Sequence, residues 1–455
     1  MRVGATETLA RYASTLHYRA IPPAVVARTK EVVLDCLGTL LGGSVYPVGT
    51  ITLRFVASLG EGGTCTVVGT DRKASPVTAA FANATIAHCL ELDDNYNPAN
   101  AHVANVVVPA ALAVAEQEHV DGRQFIAALV AAYDVEGRIG IALSPVRLYE
   151  RSFHPSSING SFGAAVAAAR AMALGLSETI NALGLAGCQA SGLLAWVTEP
   201  AQFSKAFQIG VASRNGVTAA ELARFGFTGP PHILEGKHNP FRAFVGVDVP
   251  SAEHTLTGGL GSRFEIARTS LKKYACCRQI HAPLDGLFRI MARHDLHGDD
   301  IVELTTRVAT SMADIIDNNE LPSHNAQYVL AMAAYDGHVE VEQLTGDRIA
   351  DPRISALSKR VRVLGDDALE QRFPEQWSAI TTVRAGDGHE FTEAVDYPTG
   401  DPENPLTADD LRAKFFALAT KAISRKRAEE IADLVTGLDA LRDVSQLARL
   451  FGADR

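Results

Sequence analysis

Apolar positions recur with helical spacing through the first half of the chain. Between Ala24 and Leu41 they form one broad face, and this segment ends at a Gly-Gly pair, which favours helix termination. Ser75 and Pro76 form a typical helix start, and the apolar run after them predicts a buried helix as far as Leu92. Further helices with short connections are predicted at 105–117, 122–143, 160–175, 177–197 and 205–225. The pattern indicates one large helical bundle.

The pattern changes after the glycine-rich segment 258–261. Apolar and polar residues alternate there, which predicts strands at 301–308, 360–364, 378–384 and 390–397, with helices between them at 281–294, 325–335 and 351–359. Helical spacing returns after the proline-rich segment 398–405. We therefore expect a mainly α protein. Residues 1–265 and 403–455 would form a large all-helical domain, and residues 266–402 a smaller inserted α+β lid domain.

The composition is typical of a compact globular protein. The chain has 455 residues, of which 47% are hydrophobic and 21% charged, and its formal net charge is -10. This negative balance argues against a nucleic-acid-binding surface, and no apolar run is as long as a membrane span. The N-terminus lacks the apolar region of a signal peptide, and the six cysteines show neither disulfide-framework nor zinc spacing. We expect a cytoplasmic protein with reduced thiols that binds no metal, membrane or nucleic acid.

Two segments carry candidate chemistry by their residue types alone. Pro155 restricts His154 to extended backbone and so fixes a titratable imidazole at the start of a glycine- and alanine-rich helix. An imidazole held in this way is suited to proton transfer, although a structural, hydrogen-bonded histidine is the commoner role of the residue type. The second segment, 91–95, places acids and amides at a predicted helix C-terminus, where the helix dipole disfavours negative charge. That placement favours a functional site.

Four motifs spread along the chain resemble the MmgE/PrpD family, which includes 2-methylcitrate dehydratases, cis-aconitate decarboxylases and iminodisuccinate epimerase. The motifs are HCLELDDN at 88–95 with His102 after it, FHPSS at 153–157, KAFQIGVASRNG at 205–216 and LKKYACCRQIH at 271–281. The resemblance covers essentially the whole chain. It implies a helical domain made from both chain ends, an inserted lid, an active site in the cleft and a homodimer.

The resemblance also implies a chemistry: loss of a proton or of carbon dioxide next to a carboxylate of a small polycarboxylic acid, without metal or organic cofactor. Such a reaction needs cations for the carboxylates, a base, and donors for the developing enolate. His154 and His102 match family histidines and are candidate acid/base residues. Lys272, which we expect to neutralise a substrate carboxylate when the lid closes, and Tyr274 are further catalytic candidates. The substrate-binding candidates are Glu91, Asp93, Asn95, Lys205, Cys277 and Arg278.

Each of these assignments has a structural alternative. Lys205 and Lys272 could be solvated surface charges, His102 could cap a helix start, and Tyr274 could pack in the hinge between the domains. The vicinal cysteines at 276 and 277 have no partners at metal-ligand spacing.

Three positions depart from the family pattern and bear on the reaction. Glu91 and Asn95 stand where the dehydratases and decarboxylases carry aspartate and threonine, and Cys277 stands where the decarboxylase has a histidine. A thiol cannot replace an imidazole at neutral pH unless its pKa is lowered, so decarboxylation is disfavoured. We expect a lyase that eliminates water, similar to the 2-methylcitrate dehydratases. Two alternatives stay open: an epimerase of a dicarboxylate or amino-polycarboxylate, and a non-catalytic ligand-binding relative.

Overall fold

The computed structural model describes residues 4–60, 62–199, 203–247, 253–344 and 346–452, and its fold is mainly α, as predicted. The outermost residues of the predicted domain ranges, 1–3 and 453–455, lie outside the described residues. The helices before residue 266 are α1 (Ala5–Thr15), α2 (Pro23–Gly43), α3 (Pro47–Ser58), α4 (Pro76–His88), α5 (Ala104–Glu118), α6 (Gly122–Leu143), α7 (Pro145–Glu150), α8 (Pro155–Ala171), α9 (Leu176–Gln189), α10 (Phe203–Arg224) and α11 (Glu253–Thr257). Of the described helices, none is by itself long and apolar enough to cross a membrane; α2 and α3 qualify only as a pair, which is bent by 80°.

The glycine- and alanine-rich helix α8 lies at the centre of the bundle. Every residue of it is buried, and it packs against α5, α6, α9 and α10. The small residues are required by the close approach of these helices. A Cβ added at Gly216 of α10 would lie 2.3 Å from the Cβ of Ala164, and one added at Gly163 would lie 2.0 Å from Oε2 of Glu136. The start of α8, where His154 precedes the first turn, is therefore held by a densely packed core.

The C-terminal helices pack on the first ones. They are α17 (Ala408–Ala419), α18 (Arg425–Thr436) and α19 (Ser445–Ala448). Helix α17 lies against α2, where a Cβ added at Gly38 would lie 3.3 Å from the Cα of Phe415. Lys414 of α17 binds Asp35 of α2, with 2.6 Å between Nζ and Oδ1, in a pair that is almost fully buried. Both ends of the chain thus contribute to one core.

The intervening segment forms a second core around a mixed sheet. Its strands are β5 (Ile301–Ala309), β6 (Val361–Asp366), β7 (Ala379–Ala385) and β8 (Glu390–Val395), in the order β6-β5-β7-β8. Strands β5 and β6 are parallel, and the other pairs are antiparallel. Side chains of β7 alternate between buried and half-buried, which confirms the alternation that predicted this strand. The helices of the segment are α12 (His281–His294), α13 (Thr310–Ile316), α14 (Ala326–Asp336), α15 (Pro352–Ser358) and α16 (Asp367–Glu370).

Helix α4 is shorter than predicted, and the difference builds the site. Ser75 caps its start as expected, but the helix ends at His88 instead of Leu92, and Glu91 then takes a left-handed conformation with φ 53°. This turn leads into β3 (Asp94–Asn95), which pairs antiparallel with β4 (Ser270–Leu271). The pairing joins the acidic loop to the segment that carries Lys272. The remaining short strands, β1 (Cys65–Thr66) and β2 (Lys73–Ala74), form a separate hairpin.

Candidate active site

A small cavity lies where the start of α8, the acidic loop and the segment after β4 meet. Its volume is about 20 Å³, which is room for about one water molecule, so the structure is closed around it. Eight of the ten predicted site residues line it, and only Asp93 and Tyr274 do not. The lining residues are Glu91, Asn95, Asn100, His102, Tyr149, His154, Ser156, Trp196, Lys205, Lys272, Cys277, Arg278, Gln279, Ile315 and His324.

Glu91 places a carboxylate between the two predicted lysines. Nζ of Lys205 lies 2.5 Å from Oε1, and Nζ of Lys272 lies 3.2 Å from Oε2 and 2.9 Å from the Glu91 carbonyl oxygen. All three side chains are nearly fully buried. Burial favours the neutral carboxyl, but the two ammonium groups more than offset this and hold the pKa of Glu91 well below its usual value. The lysine pair therefore holds an internal carboxylate, and neither lysine is a solvated surface charge.

His154 is held in a single tautomer. The side-chain amide of Gln208 donates from Nε2 to the Leu193 carbonyl at 2.9 Å, which leaves its Oε1 facing Nδ1 of His154 at 3.0 Å. Nδ1 must then carry the proton, and Nε2 keeps its lone pair. Burial, together with the positive charge of Lys205, lowers the pKa of His154 well below its usual value. The imidazole is a neutral base at the mouth of α8.

His102 is fixed in the same tautomer by different partners. Its Nδ1 lies 2.8 Å from the Asp94 carbonyl oxygen and 2.9 Å from Oδ2 of Asp93, and both atoms only accept. Its backbone N–H donates to Oγ of Ser156 at 3.1 Å, which ties the residue to α8. Burial lowers the pKa of His102 to about 4, so this imidazole is neutral too. The ring of His102 thus donates a hydrogen bond to a backbone carbonyl, and it also lines the cavity.

Asp93 takes a different place from the one predicted. It is fully buried behind His102, and its Oδ2 accepts from the imidazoles of both His102 and His88. Burial favours the neutral acid, but these imidazoles and Lys272 more than offset it, and the pKa of Asp93 lies well below its usual value. The assignment of Asp93 to substrate binding is corrected: the residue orients a histidine and has no face on the cavity.

Tyr274 is the second correction. Its hydroxyl donates to Oδ1 of Asp285 at 2.6 Å, inside the second core, and burial raises the pKa of Tyr274 above the usual value. Oδ2 of the same carboxylate accepts from the Thr399 backbone N–H. The hydroxyl therefore points away from the cavity, and the packing alternative describes Tyr274.

Cys277 and Arg278 bring different chemistry to the cavity. Burial raises the pKa of the Cys277 thiol to about 11, and Sγ lies 2.5 Å from Oε1 of Gln279, so it serves neither as a base nor as a nucleophile at neutral pH. Arg278 pairs through Nη2 with the buried Asp401, which also accepts from Ser270. Its Nη1 and Nε have no hydrogen-bond partner among the residues that the structure describes. Arg278 can thus donate to an anion in the cavity.

Three aromatic residues that the sequence did not single out also line the cavity, namely Tyr149, Trp196 and His324. Trp196 lies between His154 and His324, with 5.6 Å between ring centroids on each side, and Nζ of Lys205 lies 4.7 Å from the Trp196 ring centroid. Burial lowers the pKa of His324 to about 3. The only signals in the sequence were the rarity of tryptophan, with two in the chain, and a histidine next to the cap residue of α14. Cys277 stands where the decarboxylase has a histidine, and His324 places an imidazole in the same cavity.

His88, Asp93 and His102 form the one group in the described part of the chain whose donor atoms could hold a metal ion, since these atoms lie within 4.8 Å of one another. The same atoms, however, already satisfy each other through hydrogen bonds. Nζ of Lys272 also lies 3.9 Å from Oδ1 of Asp93, and its positive charge opposes a second cation there. The arrangement fits a hydrogen-bonded relay better than a metal centre.

Comparison with known proteins covers both parts of the chain. Residues 7–252 match the MmgE/PrpD N-terminal domain and residues 274–440 the MmgE/PrpD C-terminal domain. A cis-aconitate decarboxylase of Aspergillus terreus is 28% identical over 98% of this chain and 96% of its own, and that of Mus musculus is 26% identical over 98% and 93%. A 2-methylcitrate dehydratase of Cupriavidus necator is 27% identical over 82% of this chain and 81% of its own. The chain belongs to the MmgE/PrpD family.

Proposed function

We propose that the protein is a cofactor-independent lyase that removes a proton next to a carboxylate of a small polycarboxylic acid and eliminates water. One observation carries the proposal: two neutral imidazoles of fixed tautomer line the same cavity as a lysine pair that already holds a carboxylate. The relatives named above are two decarboxylases and a dehydratase, which are all lyases.

The resting protonation state favours a reaction that begins by taking up a proton. His102 and His154 both carry their proton on Nδ1, so Nε2 is the atom that can act as a base. Dehydration starts in this way: the base removes the proton beside the carboxylate, and the proton is later delivered to the departing hydroxide. Decarboxylation instead needs a protonated donor for the carbon that loses carbon dioxide. The neutral imidazoles therefore support elimination of water as the principal reaction.

The cations support a substrate with at least two carboxylates. Lys205 and Lys272 bind one carboxylate, now that of Glu91, and Arg278 offers to another its Nε and Nη1, which have no partner in the described part of the chain. A cavity of about 20 Å³ cannot hold such a molecule, so substrate entry requires Glu91 to leave its position or the lid to open. Stabilisation of the enolate would come from the ammonium groups that neutralise the neighbouring carboxylate.

Proton NMR of the protein in deuterated water tests the proposal. The substrates would be 2-methylcitrate, citrate, malate, cis-aconitate and iminodisuccinate, with His154→Gln as the variant and the exposed His389→Gln as its control. New vinylic signals with loss of the adjacent proton, abolished in His154→Gln only, are expected. An α-proton that exchanges while a second diastereomer forms would instead identify an epimerase. A folded protein that changes no compound would overturn the assignment as a lyase on these acids.

Decarboxylation is the second candidate, and two observations favour it. The cis-aconitate decarboxylases are matched over 98% of this chain, against 82% for the dehydratase, and His324 restores an imidazole on the lid side. Release of carbon dioxide from cis-aconitate, lost in His324→Gln, would establish this reaction over dehydration.

We also propose that the protein acts as a homodimer in the cytoplasm. The resemblance to the family implied the dimer, and the half-exposed side chains of Phe55 and Phe207 offer apolar surface on the helical domain. Light scattering after size exclusion measures the state directly. A monomer at micromolar concentration would contradict it.

A further inference from the structure

The carboxylate of Asp93 is shared between two imidazoles. Its Oδ2 lies 2.8 Å from Nδ1 of His88 and 2.9 Å from Nδ1 of His102. The two rings lie side by side, with centroids 4.5 Å apart. A carboxylate oxygen accepts only, so both nitrogens must donate, and one oxygen serves two N–H groups.

His88 does not reach the cavity, yet its position is strongly determined. It is the last residue of α4, its side chain is 1% exposed, and the chain turns away immediately after it. Its Nε2 has no hydrogen-bond partner within the described ranges and lies 3.8 Å from Oε1 of Glu91. A buried imidazole with an unsatisfied nitrogen is costly for stability alone, which points to a role for its other nitrogen.

We propose that His88 is a positioning residue that sets the orientation and proton affinity of His102 through the oxygen of Asp93 that both share. An oxygen that accepts two hydrogen bonds gives each donor less electron density than one that accepts a single bond. His88 thereby keeps His102 a weaker base than an undivided aspartate would make it. It also holds the carboxylate oxygen within hydrogen-bond distance of the His102 ring. This inference rests on the proposed function in one respect, that His102 exchanges a proton with the substrate.

Two substitutions separate this role from packing. His88→Leu fills similar space without a donor, whereas His88→Asn places an amide N–H where Nδ1 now donates. In His88→Leu we expect the acidic limb of the kcat/KM profile to move up by about half a pH unit to one unit, because Asp93 then serves His102 alone. We expect kcat to fall about 10-fold as the carboxylate loses its second support. His88→Asn should restore most of both.

The surrounding charges stay constant in these variants. They come from the acidic loop itself, from α2, from α10 and from the segment after β4, and are those of Glu91, Asp93, Asp35, Lys205 and Lys272. The other titratable groups around His102 are the carboxyl of Asp94 and the imidazoles of His154 and His324, which the variants also leave in place. A shift of the acidic limb in His88→Leu that His88→Asn reverses is therefore due to the lost donor.

A spectroscopic reading does not depend on turnover. Wild type should show two downfield Nδ1 protons, one for each imidazole bonded to Asp93, with the His102 signal assigned from its absence in His102→Gln. In His88→Leu one signal disappears and the His102 signal moves further downfield; in His88→Asn it stays near its wild-type position. A His102 signal and an acidic limb that do not move in folded His88→Leu would overturn the proposal, and so would a stoichiometric metal ion in place of the two protons. If no acid is turned over, the proposed function fails, and the two proton signals still decide this inference.

Discussion

The two walls of the cavity are held by different kinds of interaction. On the helical side, hydrogen bonds to fixed acceptors orient His102 and His154, so that each presents the same ring nitrogen. On the side of the segment after β4, Lys272 and Arg278 are held by ion pairs with carboxylates. Hydrogen bonds fix direction, which proton transfer needs, whereas ion pairs fix charge and tolerate exchange of one anion for another. We propose accordingly that the imidazoles of the first wall perform the proton chemistry, and that Lys272 and Arg278, together with Lys205 of α10, bind and release the substrate.

The largest expected effect comes from disturbing the hydrogen-bonded wall. In Asp93→Asn the carboxylate beside Nδ1 of His102 becomes a neutral amide, while the Asp94 carbonyl still accepts from the same ring nitrogen. The imidazolium that forms when His102 takes up a proton then loses its negative partner although the shape is kept, and kcat should fall by about 10² to 10⁴. The exposed Asp387→Asn, assayed beside it, controls for general effects of the exchange. A folded Asp93→Asn enzyme with the wild-type kcat would show that the charge of Asp93 does not support proton transfer by His102.

Removing a charge from the ion-paired wall should act on binding instead. Lys272→Met keeps the length of the side chain but removes the ammonium group, so we expect KM to rise about 10²-fold with a smaller change in kcat. The neighbouring exposed Lys273→Met is the matched control and should leave KM unchanged. Should kcat fall while KM is preserved, Lys272 would belong to the proton chemistry and the division between the walls would fail.

Glu91 offers a further test of the ion-paired wall, because its carboxylate occupies the lysine pair that we propose to bind the substrate. Glu91→Gln removes the competing charge, and we expect malonate to bind about 10-fold more tightly by calorimetry, a change of about 1.4 kcal/mol. Glu116→Gln is the control. Glu116 is also a buried glutamate paired with a lysine, Lys73, but it lies in α5 and not in the acidic loop. Weaker binding of malonate in Glu91→Gln would mean that Glu91 helps to hold the anion instead of standing in for it.

The difference between the walls also explains what the sequence could predict. His154, Lys205 and Lys272 stand in motifs of local sequence, so residue type and resemblance were enough to single them out. The roles of Asp93 and Tyr274 depend on which way a side chain points after the chain turns at Glu91 or enters the lid core, and no local pattern records that. Trp196 and His324 reach the cavity only through packing of distant segments. The fold itself was predictable because helical and strand periodicities are local, whereas the end of α4 was not, because tertiary contacts overrode its apolar pattern.

The smallest expected effect is on the pH dependence of stability. Its sign differs between a buried imidazole, His102, and a buried carboxyl group, Asp94, on the same wall. His102 has a pKa of about 4 when folded and an ordinary value near 6.5 when unfolded. Between these values the unfolded chain binds a proton that the folded one does not, so His102 makes stability rise with pH. Burial, with the charge of Asp93 next to it, raises the pKa of Asp94 to about 8, so from pH 5 to 7 the folded chain keeps a proton that the unfolded one has lost. Asp94 therefore makes stability fall as pH rises.

Each group changes the free energy of unfolding by about 1.4 kcal/mol per pH unit, and the two changes have opposite signs. Relative to wild type, Asp94→Asn should gain stability as the pH rises from 5 to 7, and His102→Gln should lose it from 5 to 6. Urea unfolding of both variants and wild type at pH 5, 6 and 7 measures the two slopes. Slopes of the same sign for both variants would mean that Asp94 is not protonated while His102 is unprotonated at these pH values. The neutral imidazole on which the proposed proton abstraction depends would then be in error.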